Sequence, residues 1–253
     1  MGKTFRKHGS APGAAAAEAA YLRWLREGSN AVVEVVGVDE DANTVDIEYV
    51  ESVPPTPEAA RAAGRELAAI HALSADAFGA PAAGWDGPNF IGRKQQDCVP
   101  TPRWAEFYVT QRVLPFAKAA HDAGNLDAAG LETVRRACAA LRQEDEDAPL
   151  ARIHGDLWSG NLLFSPDGPR FIDPAAHGGH PLTDIAMLEL FGAPHLDALV
   201  EGYLEAGELG RDWQRRIPIH QLHPLAVHAW THGPSYGRAL VRAAEQTLEI
   251  MAR

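Results

Sequence analysis

The sequence predicts an α+β chain in two lobes, a small β-rich lobe over residues 1–53 and a larger, mainly helical lobe over residues 54–253. Three observations predict it. Two β-branched runs, residues 32–38 and 43–50, flank Asp39-Glu40-Asp41 and have the composition of a hairpin. Pro54-Pro55-Thr56-Pro57 then punctuates the chain. Beyond it the pattern is mainly helical, apart from one strand–turn–strand stretch near residues 162–172, and no internal repeat is present.

Residues 3–7 read as a short strand. Ala14–Arg26 is alanine-rich and helical, with Tyr21, Leu22 and Leu25 forming an apolar stripe. After the hairpin, Thr56 is placed to cap a helix whose first position is Pro57, where a proline's missing N–H costs nothing. That helix runs to about residue 73 and carries Ala60, Gly64, Leu67 and Ile70 along one side. Glu144, Asp145, Glu146 and Asp147 read as a solvated acidic loop. Leu162, Leu163 and Phe164 are apolar enough for a strand, Ser165-Pro166-Asp167-Gly168 is a turn by composition, and Phe171-Ile172 begins a second strand.

Composition fits a cytosolic enzyme. A chain of 253 residues with 46% hydrophobic content can bury a sizeable core. Its formal charge of −11 argues against a nucleic-acid partner or an anionic membrane surface. Cys98 and Cys138 stand 40 residues apart with no CxxC, and two inert thiols fit them better than a disulfide. The N-terminal residues have no apolar core of a signal peptide, and no stretch approaches 18 uncharged apolar residues. Arg6 stands where myristoylation of Gly2 would want Ser or Thr. Gly2-Lys3-Thr4 mimics the end of a P-loop without the glycine that should precede it, a coincidence. Nothing in the sequence bears on oligomeric state.

The chemistry sits in residues 152–173, RIHGDLWSGNLLFSPDGPRFID. Asp156 lies in His-Gly-Asp, Asn161 follows five positions later, and Asp173 follows Asn161 by twelve. Kinase-type phosphoryl transfer needs this set: a carboxylate to accept the proton of an attacking hydroxyl, then an amide and a second carboxylate on Mg²⁺. The loop–strand–turn–strand layout puts Asn161 and Asp173 at facing ends of a hairpin, close enough to share a metal. Reading Asp156 and Asp173 as loop caps and Asn161 as a turn former leaves the joint spacing unexplained. The set is a strong signal for a phosphotransferase. His154 reads as a residue that orients the loop by hydrogen bonding, and Asp184 as an acceptor for backbone or histidine donors that rigidify it.

HGDLWSGNLLF (154–164) and FIDPAAHGGHPLTDIAMLELFG (171–192) closely resemble the fructosamine (ketosamine) kinases, small-molecule kinases of the aminoglycoside phosphotransferase and choline kinase type. Leu157-Trp158-Ser159-Gly160 separates them from relatives that keep only HGD and Asn. Further matches are Trp85, Asn89-Phe90-Ile91-Gly92, Trp104-Ala105-Glu106-Phe107, Arg112-Val113-Leu114-Pro115 and His220-Gln221-Leu222-His223-Pro224-Leu225. The resemblance implies a protein-kinase-like two-lobe fold, with ATP and Mg²⁺ as cofactors. Asp156 would act as base, Asn161 and Asp173 would hold the metal, and Lys7 aligned by Glu18 would take the α/β-phosphates. Glu48-Tyr49-Val50 falls where a hinge strand offers backbone groups to adenine. Trp158 reads as part of a sugar platform or as plain packing.

The implied acceptor is the O3 hydroxyl of a small or protein-bound ketosamine, such as fructoselysine or a ribulosamine. Its labile 3-phosphate would release the amine, a deglycation role. One departure stands out: the family's glycine-rich hairpin before the lysine strand has no counterpart among the six residues preceding Lys7. An upstream start, a natural short form with a half-open site, or lost turnover each accounts for it. The rival readings are a kinase for an aminoglycoside, choline or homoserine, and a non-catalytic nucleotide- or ligand-binding module. His177, His180, His220, His223, His228 and His232 invite a zinc reading, but no cysteine or carboxylate nearby completes a ligand set, so they read as core or substrate-pocket packing.

Overall fold

The computed structural model describes residues 3–144 and 147–252; the readings of Gly2 and of Asp145 and Glu146 lie outside the described residues. The small lobe is a three-stranded antiparallel sheet with a helix against it. β1 (Thr4–His8) leads into α1 (Ala14–Arg26), then β2 (Val35–Asp39) and β3 (Thr44–Glu48), and β3 is the central strand. Lys7 lies opposite Val45 and Arg6 opposite Asp46. Asn43 closes the β2–β3 turn with a left-handed φ of 50°, a conformation asparagine tolerates. Its amide donates to Gly9 O and Ala11 O, and its Oδ1 accepts from Ala15 N–H, which ties the hairpin to the start of α1. The alanines of α1 are buried at Ala15, Ala17 and Ala19, and their small side chains let the helix lie close to its neighbours.

The apolar run expected as one strand over 32–38 is divided between two partners. Val35–Asp39 pairs with β3 through a bulge between Val35 and Gly37. Val33 N–H instead donates to Phe171 O at 3.1 Å, and Phe171 N–H to Ala31 O at 2.8 Å, joining the small lobe to the catalytic hairpin.

Thr56 caps α2 (Pro57–His71) as expected, its Oγ1 accepting from Ala59 N–H, with Pro57 in the first turn. A short ladder follows, β4 (Asn89–Ile91) and β5 (Lys94–Gln96), then α3 (Trp104–Phe107), a π-helical turn over Tyr108–Val113, α4 (Leu114–Asp122) and α5 (Ala128–Arg142). β6 (Ala151–Ile153) precedes the loop with Asp156. β7 (Leu162–Ser165) and β8 (Gly168–Phe171) form the hairpin, and β9 (His177–Gly179) returns to pair with β6. The second hairpin strand begins at Gly168 rather than at Phe171, because Ser165 and Gly168 already pair across a turn of Pro166 and Asp167. α6 (Leu182–Phe191), α7 (Leu196–Ala206), α8 (Trp213–His232) and α9 (Pro234–Met251) complete the chain. The β4–β5 and β6–β9 ladders correct the expectation of a single hairpin in this lobe. Their three-residue strands are too short to leave a period-two signal.

One apolar cluster joins α1, the sheet, α2, β7, β8, α6 and α7; a second fills the space between α3, α4, α5, α8 and α9. Among the described residues no helix is long and apolar enough to cross a membrane. The α2–α7 contact explains the glycine in the predicted apolar stripe. A Cβ on Gly64 would stand 1.9 Å from Leu199 O, and one on Gly202 would stand 1.9 Å from Arg61 O. Backbone of one helix thus touches backbone of the other, where nothing flexible can give way. We expect Gly64→Ala to destabilise the protein by about 2 kcal/mol or more, at the upper part of the usual overpacking range. Urea denaturation measures this, and a variant within about 0.5 kcal/mol of the parent would show that the helices have room to separate.

Candidate active site

The loop after β6 is held from below by one buried carboxylate. Asp184, in the first turn of α6 and 0% exposed, accepts from His154 N–H at 2.7 Å and Gly155 N–H at 2.9 Å. It also meets His71 Nε2 at 3.0 Å, and the other nitrogen of that ring meets the Tyr203 hydroxyl at 3.0 Å. Burial alone would raise the Asp184 carboxyl, but the hydrogen bond and charge of His71, aided by the loop donors, hold it below the ordinary value. Gly155 has φ 78°, and a Cβ there would stand 2.4 Å from Ala175 O, so the turn that presents Asp156 requires glycine. His71 is a partner that sequence reasoning missed, since it lies 113 positions from Asp184 in no motif.

His154 is buried with both ring nitrogens engaged: Nε2 donates to Ile172 O at 2.9 Å, and Nδ1 accepts from Asp156 N–H at 3.3 Å. Burial keeps the ring neutral by lowering its pKa. This geometry makes His154 a strut between the loop and the end of β8. Asn161 ends a short 3₁₀ turn, Ser159–Asn161, and its Nδ2 donates to Asp156 O at 2.8 Å and Asp173 O at 3.4 Å. Ile172 N–H donates to Asn161 O at 3.0 Å, which brings Asp173 beside Asn161 as the spacing predicts. Asp173 adopts a left-handed φ of 56°. Asp156 is pushed up to about 8, first by burial and then by Asp173 and Asp184, with the Asn161 amide opposing.

Lys7 joins the two lobes. Its Nζ pairs with Glu18 Oε1 at 2.6 Å and with Asp173 Oδ1. Burial pulls the ammonium down, yet Glu18 and then Asp173 outweigh it, and its pKa is raised. Glu18 is also raised, first by burial, because one ammonium is shared between two carboxylates. Lys7, Glu18, Asp156, Trp158, Asn161 and Asp173 all line one cavity of about 340 Å³. Trp158 is 43% exposed, and a Cβ on Gly160 would lie 2.2 Å from its ring, so that glycine admits the indole against the loop.

Lys7 and Asp173 also line a second, mostly apolar cavity of about 260 Å³, walled by Ile47, Glu48, Tyr49, Val50, Leu163 and Ile172. The Glu48 carboxylate accepts from Arg170 and Glu34 N–H, and the N–H groups of Glu48 and Tyr49 donate to Glu34 O and Lys3 O. Val50 N–H has no such bond among the described residues. A larger cavity of about 610 Å³, lined by Glu144, Arg211, Arg215 and Met251, contains none of these groups.

The residues fit a hard divalent cation. With Asn161 Nδ2 committed and Asp173 Oδ1 on Lys7, Asn161 Oδ1 and Asp173 Oδ2 are oxygens without a protein partner among the described residues. His177, His180, His220 and His223 lie apart from this set as buried rings, while His228 is part-buried and His232 exposed. The His180 and His220 rings lie tilted 4.5 Å apart, Trp104 stacks on His220 at 4.7 Å, and His223 meets Phe116 edge-on at 5.2 Å. His228 stacks on His232 at 4.9 Å, and His177 meets Phe107 at 5.4 Å. Among the described residues no group of three or more His, Cys, Asp or Glu is placed to hold a metal. Cys138 is buried and Cys98 lies 3.3 Å from Arg112; both thiols are free.

A strand lysine paired to a helix glutamate, facing a loop aspartate and an asparagine–aspartate pair on a hairpin, defines a kinase-like phosphotransferase scaffold. Residues 7–250 match the fructosamine kinase family, and the chain belongs to that family. It is 31% identical over 246 residues to a probable ketoamine kinase of Escherichia coli, covering 93% of this chain and 80% of that one. A probable ketoamine kinase of Thermus thermophilus is 31% identical over 234 residues, with coverage of 92% and 82%. A crystal structure from Thermobifida fusca, provisionally named fructosamine-3-kinase, superposes with a TM-score of 0.90 at 41% identity, covering 97% and 85%. The choline kinase of Streptococcus pneumoniae, with a TM-score of 0.61 at 16% identity, shares the fold.

The buried histidines carry a pH consequence. Burial lowers His177 and His180 to about 3 and lowers His154 as well, against about 6.5 in an unfolded chain. Below 6.5 the unfolded chain takes up protons that the fold refuses. Stability is therefore full above that pH and falls as pH drops toward 3, by about 1.4 kcal/mol per unit for each of His177 and His180. Thermal unfolding should show Tm falling as pH drops from about 6 to 4.5; an unchanged Tm over that range would mean these rings are not held neutral.

Proposed function

We propose that this chain transfers the γ-phosphoryl group of ATP to the O3 hydroxyl of a ketosamine. The observation that carries the reading is the convergence of Asp156, Asn161, Asp173 and the Lys7–Glu18 pair on one cavity. Membership of the fructosamine kinase family, and relatives named as ketoamine kinases, support the substrate class.

In this reading adenine enters the apolar cavity, where Val50 N–H and the carbonyl of Glu48 are the hinge groups, and Tyr49 forms part of the wall. Lys7, aligned by Glu18, holds the α/β-phosphates. Asn161 and Asp173 would hold Mg²⁺, which would supply positive charge to the phosphates. The sugar packs against Trp158 with O3 at Asp156. The O3 proton passes to Asp156, the O3–phosphorus bond forms, and the bond to the β,γ-bridging oxygen breaks, so that ADP leaves with that electron pair. A pKa near 8 sets Asp156 close to working pH, where a general base is most effective. The labile 3-phosphate then releases the amine, a deglycation role. Two free thiols fit a reducing, cytoplasmic setting.

Asp156→Asn should lower kcat by roughly 10²–10⁴-fold while ATP affinity and Tm stay near the parent's. A variant that keeps more than about a tenth of turnover would remove Asp156 as the base. A panel of fructoselysine, a ribulosamine, choline, homoserine and an aminoglycoside, followed by phosphate transfer from labelled ATP, tests the acceptor. Turnover confined to the last three would overturn the ketosamine assignment, and ATP binding with no turnover would favour a binding module.

A further inference from the structure

The cavity that holds Asp156 has a second wall, made by the β4–β5 hairpin. Its two-residue turn is Gly92-Arg93, with Ile91 paired to Lys94 on either side and Gly92 at φ 55°. The hairpin is fixed at three points. The Tyr21 hydroxyl on α1 donates to the buried Asn89 Oδ1 at 2.6 Å, and Ser10 Oγ donates to Gly92 O at 3.2 Å. Lys94 Nζ stands 3.9 Å from the centre of the Trp230 ring on α8. The apex is thus tied to the β1–α1 turn, to the helix that carries Glu18, and to the large lobe.

Charge inside the cavity is unbalanced. Glu18, Asp156 and Asp173 are three carboxylates, and Lys7 is already shared by two of them. A phosphoryl group in flight spreads negative charge over three oxygens and would arrive next to Asp156. Arg93 lines the same cavity, and among the described residues it has no hydrogen bond or ion pair with a carboxylate. Arginine keeps its charge at any working pH and offers donors in a planar fork that matches phosphate oxygens.

We propose that Arg93, presented by the β4–β5 hairpin, is the cation that neutralises the phosphoryl group as it moves from ATP to the acceptor. The inference rests on the phosphoryl-transfer reading of the site but not on the identity of the acceptor. Its weight falls on kcat, because the group it contacts gains charge in the transition state.

Two measurements on the full chain test it. In steady-state turnover of fructoselysine, Arg93→Ala should lower kcat roughly 10²-fold, the usual loss for one such donor, with KM for fructoselysine within about 2-fold and Tm unchanged. Arg93→Lys should recover part of the loss. In calorimetry without acceptor, the parent should bind ADP with Mg²⁺ more tightly when aluminium fluoride is added as a planar phosphoryl mimic. Arg93→Ala should lose that tightening while its affinity for ADP alone stays the same.

A kcat within about 3-fold of the parent, equal tightening in parent and variant, or no tightening in the parent overturns the proposal. So does a loss confined to KM for fructoselysine and absent with its decarboxylated analogue, which would make Arg93 a reader of the substrate carboxylate. If the parent turns over no ketosamine and the tightening still depends on Arg93, the acceptor assignment fails and this inference stands.

Discussion

The buried Asp184 carboxylate is the constraint on which the site depends. A charge in the core is tolerated only when donors replace the water it loses, and Asp184 gathers three, from His154, Gly155 and His71. Those donors belong to the loop after β6 and to the end of α2, while the acceptor belongs to α6. The His71 ring passes the connection to Tyr203 on α7. Three helices and the loop are thereby fixed to one point, and Asp156 inherits its position from that point. Gly155 completes the arrangement, because only a residue without a Cβ can turn there beneath Ala175 O.

Lys7 performs the corresponding task between lobes. The small lobe reaches the large one through backbone bonds to Phe171 and through this ammonium, which lies between Glu18 and Asp173. The opposing tendencies in the group follow from that sharing. Lys7 is held charged, while each carboxylate has only part of a counter-ion and is open to a further cation. Asp173 accordingly borders both cavities, the apolar one beside β3 and the polar one beside Trp158.

The likeness to a choline kinase at 16% identity shows how far the scaffold travels without fixing an acceptor. Beside the catalytic loop of this chain stand Trp158 folded over Gly160 and a hairpin from the large lobe whose apex meets the turn after β1. The histidines belong to a different economy. Packed against Trp104, Phe107 and Phe116, His177, His180, His220 and His223 fill the second core as neutral rings, and the cost appears only when pH falls.

The sequence by itself determined the parts whose signals are local. Ala14–Arg26 is legible from its alanines and apolar stripe, and α2 from Thr56 and Pro57, since caps and periodicity act within a few residues. Asp156, Asn161 and Asp173 are legible because a loop and a tight hairpin convert fixed spacing into proximity. Lys7 and Glu18 came from resemblance, and their contact with each other and with Asp173 is a tertiary fact. Only the folded chain decided that Val33 pairs with β8, that His71 holds Asp184, and that Gly64 meets Leu199. It also decided that Arg93 shares a cavity with Asp156. These contacts span tens to more than a hundred positions. They are set by which apolar faces bury together, and no short window of sequence encodes that choice.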